Sequence, residues 1–246
     1  MSSDPAPNPR AFHTTRWSLV ARASEGQGEP ARAALEELCA AYWYPLYAYL
    51  RRKGNTADEA ADFVQGFFAA LIEKGYVGQA DPDRGRFRGF LMVAVRNFAS
   101  KERAKQRALK RGGGHATFSL DVEDGERRYA QEPAGGESAE QLFERRWALT
   151  LLDRALERLA ESQRGSTPIK AERFEALRPF IGGGGAIPYR EVGEPLGMSE
   201  TAVKVAVHRL RQRYRDILRD EIAQTVEDPS QIDDEIRRLM SAVRSS

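Results

Sequence analysis

One stretch of this sequence concentrates positive charge, although the whole chain is nearly neutral. The 246 residues contain 38 Lys and Arg and 36 Asp and Glu, which gives a formal net charge of +2. Ten basic side chains and one acid, Glu102, lie between positions 84 and 111. The basic ones are Arg84, Arg86, Arg88, Arg96, Lys101, Arg103, Lys105, Arg107, Lys110 and Arg111. The alternative is a solvated helix surface, but such a surface usually carries both signs, so the pattern favours binding to phosphate groups.

The basic stretch coincides with a predicted helix that runs from the turn at 81–85 to about Arg107. The residues of its predicted apolar face are Phe87, Phe90 or Leu91, Ala94 and Phe98. A second face carries Arg96, Ser100, Arg103 and Arg107. Cations in this arrangement would follow the phosphate backbone of a nucleic acid.

A helix, a short turn and a second helix are predicted between Tyr189 and Tyr214. Gly197 and Met198 make the turn, and the Ser199 hydroxyl is suited to cap the second helix. The predicted inward face of that helix is Val203, Val207, Leu210 and Tyr214. Its predicted exposed face is Thr201, Lys204, His208 and Arg211, with Arg209 and Arg213 beside it. A polar, cationic face of this kind can reach base edges and phosphates in a major groove, which indicates a DNA-binding helix-turn-helix.

Other patterns that could carry chemistry favour surface or core roles. Asp81 and Asp83 resemble the start of a calcium loop, but Gly85 occupies the third ligand position and no Glu closes the loop. The acids at 233–235 begin a predicted surface helix, and the glycines at 182–185 lack the Lys and Ser or Thr of a phosphate-binding loop. The sequence therefore predicts no enzyme.

Cysteine and histidine are too sparse for a disulfide framework or a metal centre. The lone cysteine, Cys39, lies on an apolar helix face and is expected to be a core residue. The three histidines, His13, His115 and His208, are far apart and show no metal-ligand spacing. We therefore expect no metal and no cofactor.

The apolar spacing predicts an all-α fold that begins after a disordered leader over 1–13. The first helical unit spans 14–111. One buried helix face within it consists of Leu35, Leu38, Cys39, Tyr42, Leu46, Tyr49 and Leu50. A further helix is predicted from a Thr56 cap to about Gly75, with Asp58 and Glu59 in its first turn.

Glycines, prolines and acids over 112–137 predict a flexible linker to a second helical unit at 138–226. That unit opens with a helix from Ser138 to about Gln163, and further helices are predicted at 171–181, 189–197 and 199–226. Its first apolar stripe is Leu142, Trp147, Leu151, Leu152, Ala155, Leu156 and Leu159. The chain is thus predicted to form two small helical domains.

A C-terminal helical extension is predicted over 227–246, with Asp228, Pro229 and Gln231 at its start. Its apolar face is Ile232, Ile236, Leu239, Met240 and Val243. This face either covers a hydrophobic surface of the same chain or receives a regulator.

No segment is predicted to enter a membrane. The longest apolar run, 90–95, is too short to cross a bilayer, and residues 1–10 lack an apolar signal core. We therefore expect a cytoplasmic protein without membrane insertion.

Two motifs resemble a known family. Residues 61–68 (ADFVQGFF) and 87–97 (FRGFLMVAVRN) resemble region 2 of the extracytoplasmic-function (ECF) sigma factors. Residues 189–211 (YREVGEPLGMSETAVKVAVHRLR) are similar to the region 4 helix-turn-helix of the same family. The two motifs occur in the family's order, and the two modules cover most of residues 30–220.

The resemblance implies a factor that directs core RNA polymerase to promoters. The first module would bind the β′ clamp helices through Asp62 and Gln65 and open the minus-10 element. The residues implied in that opening are Arg96, Asn97, Lys101, Arg103 and Arg107. The second module would contact the β flap and read the minus-35 element. The residues implied there are Thr201, Lys204, His208, Arg209 and Arg211.

The sequence departs from the family pattern at a few places, and two other functions remain open. Gly66 stands where the family usually has an acid, and the four glycines at 182–185 are not part of the usual pattern. A stand-alone helix-turn-helix regulator would leave the basic first unit without a role. A helical adaptor that binds only proteins would leave both cationic faces unexplained. The resemblance also leaves open a partner of the anti-sigma type.

Overall fold

The computed structural model describes residues 29–73, 87–108, 121–164, 167–183, 187–223, 226 and 228–244. Within these ranges the chain forms nine α-helices and two short 3-10 helices and no strand, which confirms the all-α prediction. The α-helices are α1 (Glu29–Arg52), α2 (Ala57–Glu73), α3 (Phe87–Ala108), α4 (Val122–Tyr129), α5 (Ala139–Arg164), α6 (Pro168–Leu177), α7 (Tyr189–Gly193), α8 (Glu200–Ala223) and α9 (Ile232–Arg244). The predicted leader lies outside the described residues.

Side-chain caps fix the starts of the helices. Thr56 and Glu59 form a reciprocal capping box before α2, with N···O distances of 2.8 and 3.2 Å. Ser138 and Gln141 form an equivalent box before α5, at 2.8 and 3.1 Å. The predicted helix starts at Thr56 and Ser138 are therefore confirmed.

Helix α1 lies at the centre of the larger hydrophobic cluster and packs against α2 and α5. Its predicted apolar face is buried from Leu38 to Leu50, while the side chain of Leu35 lies outside the described residues. Tyr44 and Tyr47 are buried as well, so from Ala41 to Leu50 nearly the whole circumference of the helix is covered. On α3 the fully buried stripe is Phe87, Leu91, Val95 and Ala99. The predicted Ala94 and Phe98 are only half-buried beside this stripe.

A smaller cluster surrounds the start of α8. It is formed by Leu159, Ala160, Phe174, Leu177, Phe180, Ile181, Val203, Val207 and Leu210. Helices α5 and α8 each contribute to both clusters, because Trp147 on α5 and Leu218 on α8 belong to the larger one. The two cores are thus joined along two long helices.

The structure differs from the flexible linker expected over 112–137. Residues 109–120 lie outside the described ranges, but 121–137 contain α4, which packs on α1 and α2. A Cβ at Gly125 would lie 3.1 Å from the Tyr47 ring, so glycine permits this close approach. Glu126 accepts hydrogen bonds from Tyr47 and Arg51 at 2.6 and 2.7 Å. Glycine and acidic residues here make specific contacts that composition alone does not reveal.

The C-terminal helix forms where it is predicted. Asp228 caps the 3-10 helix Pro229–Gln231 that leads into it, by accepting a hydrogen bond from the Ser230 N–H at 2.8 Å. Leu239 is buried in the larger cluster, and the rest of the predicted apolar face packs against the same cluster. The helix contacts α5 and α8, so its apolar face covers a surface of its own chain.

Candidate nucleic-acid interfaces

A tight glycine turn sets the angle between α7 and α8. A Cβ at Gly193 would lie 2.5 Å from the Met198 carbonyl oxygen, so only glycine fits there without a backbone shift. Gly197 has a φ of +62°, in the left-handed region that favours glycine. The Ser199 hydroxyl then accepts a hydrogen bond from the Ala202 N–H at 3.2 Å, which confirms the predicted cap.

Apolar side chains on its inward face pack α8 against the smaller cluster. Val203, Val207 and Leu210 are buried in the smaller cluster, as predicted. Tyr214 is half-buried, and its hydroxyl donates to the Leu152 carbonyl oxygen at 3.1 Å. Burial, with the nearby Asp153 carboxylate, raises the pKa of Tyr214 to about 12.

The outer face of α8 is polar and cationic. Thr201, Lys204, His208 and Arg209 are all exposed. Lys204 makes an ion pair with Glu200 one turn earlier, at 2.6 Å, and its hydrogen bond lowers the pKa of Glu200. An exposed pair of this kind contributes little to stability, so Lys204 can exchange its partner at small cost.

Arg211 does not belong to the exposed face, contrary to the sequence-based expectation. Its guanidinium points toward the smaller cluster and donates two hydrogen bonds to the Phe180 carbonyl oxygen, at 3.0 and 2.8 Å. The side chain is only partly exposed. The helical period places Arg211 beside His208, but the terminal carbonyl groups of the 3-10 helix Arg178–Phe180 offer it acceptors. Arg211 therefore positions α8 rather than extending its outer face.

Sequence reasoning missed Val205. This side chain is 45 % exposed on α8, among the polar residues of the outer face. The inward stripe of a helix recurs every three to four residues, and Val205 falls between two of its members, Val203 and Val207. A valine outside the inward stripe was the sequence signal from which an exposed apolar side chain could have been predicted.

A second polar and cationic face lies on α3. Arg96, Asn97, Ser100 and Lys101 are exposed. Val93, one turn before Asn97, is 45 % exposed on the same helix. Leu91 and its buried neighbours pack the inner face of α3 into the larger cluster. The exposed residues of the outer face therefore lie on a firmly packed helix.

The free charge of the basic stretch is smaller than its composition suggests. Arg88 is 5 % exposed and pairs with Glu144 and Glu235. Arg103 is half-buried, donates to the Asn55 side-chain oxygen and lies over the Phe63 ring, 5.3 Å from its centre. The side chain of Arg107 lies outside the described residues, as do Arg84, Arg86, Lys110 and Arg111.

The predicted polymerase-binding residues lie on α2. Asp62 is exposed and Gln65 is half-buried. At Gly66, a Cβ would lie 3.1 Å from the tip of the Phe98 ring on α3. Glycine, which stands here in place of the acid usual in the family, thus lies at a close contact between α2 and α3.

The described ranges contain no group of three or more His, Cys, Asp and Glu that could hold a metal ion. No helix in the part of the chain that the structure describes is long and apolar enough to cross a membrane.

The structure is all-α, and α7, the glycine turn and α8 form a helix-turn-helix. The family model described as ECF sigma factor matches residues 44–220, so the chain belongs to the ECF sigma factor family. Members of this family are non-enzymatic transcription factors that act with RNA polymerase in transcription initiation. Searches of curated proteins and of solved structures found no match. Helix α9 lies beyond the matched residues.

Proposed function

We propose that this sigma factor binds promoter DNA at two places, with α8 in the major groove of the minus-35 element and α3 at the minus-10 element. The observation that carries the proposal is the presence of two exposed polar and cationic faces on two firmly packed helices. In this proposal residues 14–111 form the polymerase-binding and minus-10 module, and 138–226 form the minus-35 module.

The contacts of α8 are proposed to divide between bases and phosphates. Thr201 and His208 can hydrogen-bond to base edges, while Lys204 and Arg209 can reach guanine or a phosphate. Val205 supplies an apolar surface among these polar residues. In the major groove, the methyl group of thymine is the base-edge group that packs against an apolar side chain. We therefore place a thymine opposite Val205.

The contacts of α3 are proposed to stabilise an opened strand. Arg96 and Lys101 would hold the backbone, and Asn97 would hydrogen-bond to an unpaired base. Val93 offers an apolar surface against which an extruded base can pack. Extruding a base costs a few kcal/mol, and contacts of this kind offset that cost.

Polymerase binding is proposed to use α2 for the β′ clamp helices and the second module for the β flap. Asp62 is an exposed acid on α2, and Gln65 lies about one turn later. Both residues match the family motif by position.

The proposal is tested by run-off transcription with purified core polymerase on a genomic promoter library. The expected result is transcription from a defined promoter set and co-elution of the protein with core polymerase on a sizing column. Separate elution at micromolar concentration, with binding to a palindromic site as a dimer, would identify a stand-alone regulator instead.

Two variants then test the minus-35 contacts. Lys204→Ala should weaken binding to the upstream element and leave polymerase binding intact. Arg127→Ala is the matched control, because Arg127 is also an exposed cation paired with an acid of its own helix. Val205→Ala should abolish the preference for thymine over deoxyuridine at one position, since deoxyuridine lacks the methyl group. An unchanged preference in that variant would refute the thymine contact.

A further inference from the structure

A buried asparagine ties the turn between α1 and α2 to α3. Asn55 lies in that turn, and its side chain is buried. Its amide N–H₂ group donates to the Leu50 carbonyl oxygen at 2.6 Å, and its side-chain oxygen accepts from Arg103 on α3. Its own carbonyl oxygen accepts from Arg51 on α1 at 2.5 Å. A buried polar group that loses its partner is costly, so these hydrogen bonds fix the turn against α3.

Arg103 is held on a second side by an aromatic ring. Its guanidinium lies over the ring of Phe63, a buried residue of α2, 5.3 Å from the ring centre. Neither of these two partners is an acid, because Phe63 offers the face of a ring and Asn55 offers a neutral amide oxygen. The contacts therefore use the flat shape of the guanidinium, which can stack and hydrogen-bond at once, more than its charge. A lysine ammonium is a point charge without this flat face.

The position of Arg103 continues the buried side of α3. That stripe, at intervals of four residues, consists of Phe87, Leu91, Val95 and Ala99. Arg103 follows four residues after Ala99 and is half-buried. No apolar side chain that the structure describes on α3 after Ala99 is buried. Arg103 therefore supplies the inward contact for the end of α3, over 100–108.

The two sides of this contact carry residues of the proposed polymerase and promoter surfaces. Lys101, which is proposed to hold the DNA backbone, is exposed two residues before Arg103. Residues two apart on a helix face different directions, so the inward Arg103 leaves Lys101 on the outside. On α2, the exposed Asp62 is the neighbour of Phe63. Arg103 thus connects the helix proposed to bind polymerase with the helix proposed to open the promoter.

We propose that Arg103 is a positioning residue for promoter opening, which acts through Asn55 and Phe63 and does not itself contact a DNA phosphate. The three side chains hold the end of α3 against α2, so that Lys101 meets the backbone of the opened strand at a fixed place. Asn55 and Phe63 contribute to promoter opening without touching DNA. This inference rests on the proposed two-site function.

Amide hydrogen exchange of the free full-length protein tests the positioning without polymerase or DNA. Arg103→Lys keeps the charge and removes the flat group, so it should speed exchange over 100–108 by about tenfold and leave 87–99 unchanged. Asn55→Ala should speed exchange over the same residues. The matched control is Lys105→Arg, which exchanges the same two residue types at an exposed position of the same segment and should leave exchange at the natural rate.

The promoter affinity of the complex with core polymerase separates positioning from phosphate contact. Each phosphate contact adds about 0.7–0.9 to the slope of log affinity against log salt concentration. On a promoter whose minus-10 element is already unpaired, Lys101→Ala should reduce the slope by this amount. Arg103→Ala and Arg103→Lys should each weaken binding by about tenfold at every salt concentration, with the natural slope and the natural affinity for core polymerase.

A double variant tests whether Arg103 acts through Asn55. Asn55→Ala combined with Arg103→Ala should bind the promoter no more weakly than Arg103→Ala alone, because both changes remove the same contact. Full additivity of the two losses would show that the residues act separately and would overturn the proposal. If Asn55→Ala fails to fold by circular dichroism, Arg103→Lys decides alone.

Natural promoter affinity in Arg103→Lys would overturn the proposal, because a phosphate contact needs only the charge. A salt slope reduced as much in Arg103→Ala as in Lys101→Ala would do the same, as would unchanged exchange over 100–108 in Arg103→Lys. Failure of the natural protein to bind the promoter together with core polymerase would refute the proposed function instead. The exchange measurement would then still show whether Arg103 holds the end of α3.

Discussion

Glu132 is expected to be one of the most sensitive positions for stability. Its side chain is 1 % exposed, and it pairs with Arg145 at 2.8 Å and with Arg146. It also accepts the Tyr44 hydroxyl at 2.7 Å. Glu132 thus joins the segment after α4 to both α1 and α5. Glu132→Gln keeps one acceptor but removes the charge and places an amide N–H₂ toward a guanidinium.

The expected loss of stability follows from the ion pairs that remain after the substitution. Arg145 retains Glu137 as a partner, at 2.8 Å, while Arg146 loses its buried carboxylate. Breaking a buried pair on one side costs about 3–5 kcal/mol, and the remaining Glu137 places this variant at about 3 kcal/mol. For a chain of this length that corresponds to a fall in Tm of about 9 °C. Urea denaturation and thermal melting measure the two values, with the exposed Glu123→Gln on α4 as control.

The loss of stability in Glu132→Gln should be larger at neutral pH than in acid. Burial by itself raises the pKa of Glu132, but hydrogen bonds from Arg146, Tyr44 and Arg145 outweigh it and hold that pKa below its ordinary value. A lowered folded-state pKa means that the stabilisation is present above the unfolded pKa, about 4.3, and is lost as pH falls through the folded value. The variant and the natural protein should therefore converge in acid. A difference below about 1 kcal/mol at pH 7, or one that grows in acid, would refute this account of the cluster.

Three further results are expected. Iodoacetamide should leave Cys39 unmodified at pH 8.5 in the native protein and modify it in urea, because burial raises the pKa of this thiol to about 12; native-state labelling detected by mass spectrometry would contradict this. Gly193→Ala should destabilise the protein by at least about 2 kcal/mol, since its Cβ would meet the Met198 carbonyl oxygen, whereas Gly89→Ala inside α3 meets nothing within 4 Å and should stabilise it by about 0.5–1 kcal/mol. Equal denaturation midpoints for these two variants would be inconsistent with the close approach. Arg211→Ala should lower the Tm of the protein, because it removes two hydrogen bonds to the carbonyl oxygen of the buried Phe180. An unchanged Tm in calorimetry would assign Arg211 back to the exposed face.

Regular periodicity explains why much of the fold could be predicted. The buried faces of α1 and α5 follow three- and four-residue spacing, and the caps at Thr56 and Ser138 are local signals that need no tertiary information. Helix α4 could not be predicted in this way. Its stability comes from Glu126 and Gly125 contacting α1, a helix some 75 residues earlier in the chain.

The candidate site was predicted less completely than the fold for a related reason. Position on a helix indicates which residues share a face, and it placed Thr201, Lys204 and His208 on the exposed side. It does not reveal long side chains that reach back to distant acceptors, as Arg211 reaches Phe180. Nor does it distinguish a solvated cation from Arg88, whose carboxylate partners follow some 56 and 147 positions later.

The link from Arg211 to Phe180 also bears on the tolerance of this protein to changes in chain length. The four glycines at 182–185 lie along the chain between two points that are already tied together across space. The two hydrogen bonds from Arg211 hold α8 against the 3-10 helix across space, whatever the number of residues between Phe180 and α7. Helix α8 should therefore keep its angle against the 3-10 helix when residues are inserted into the glycine tract.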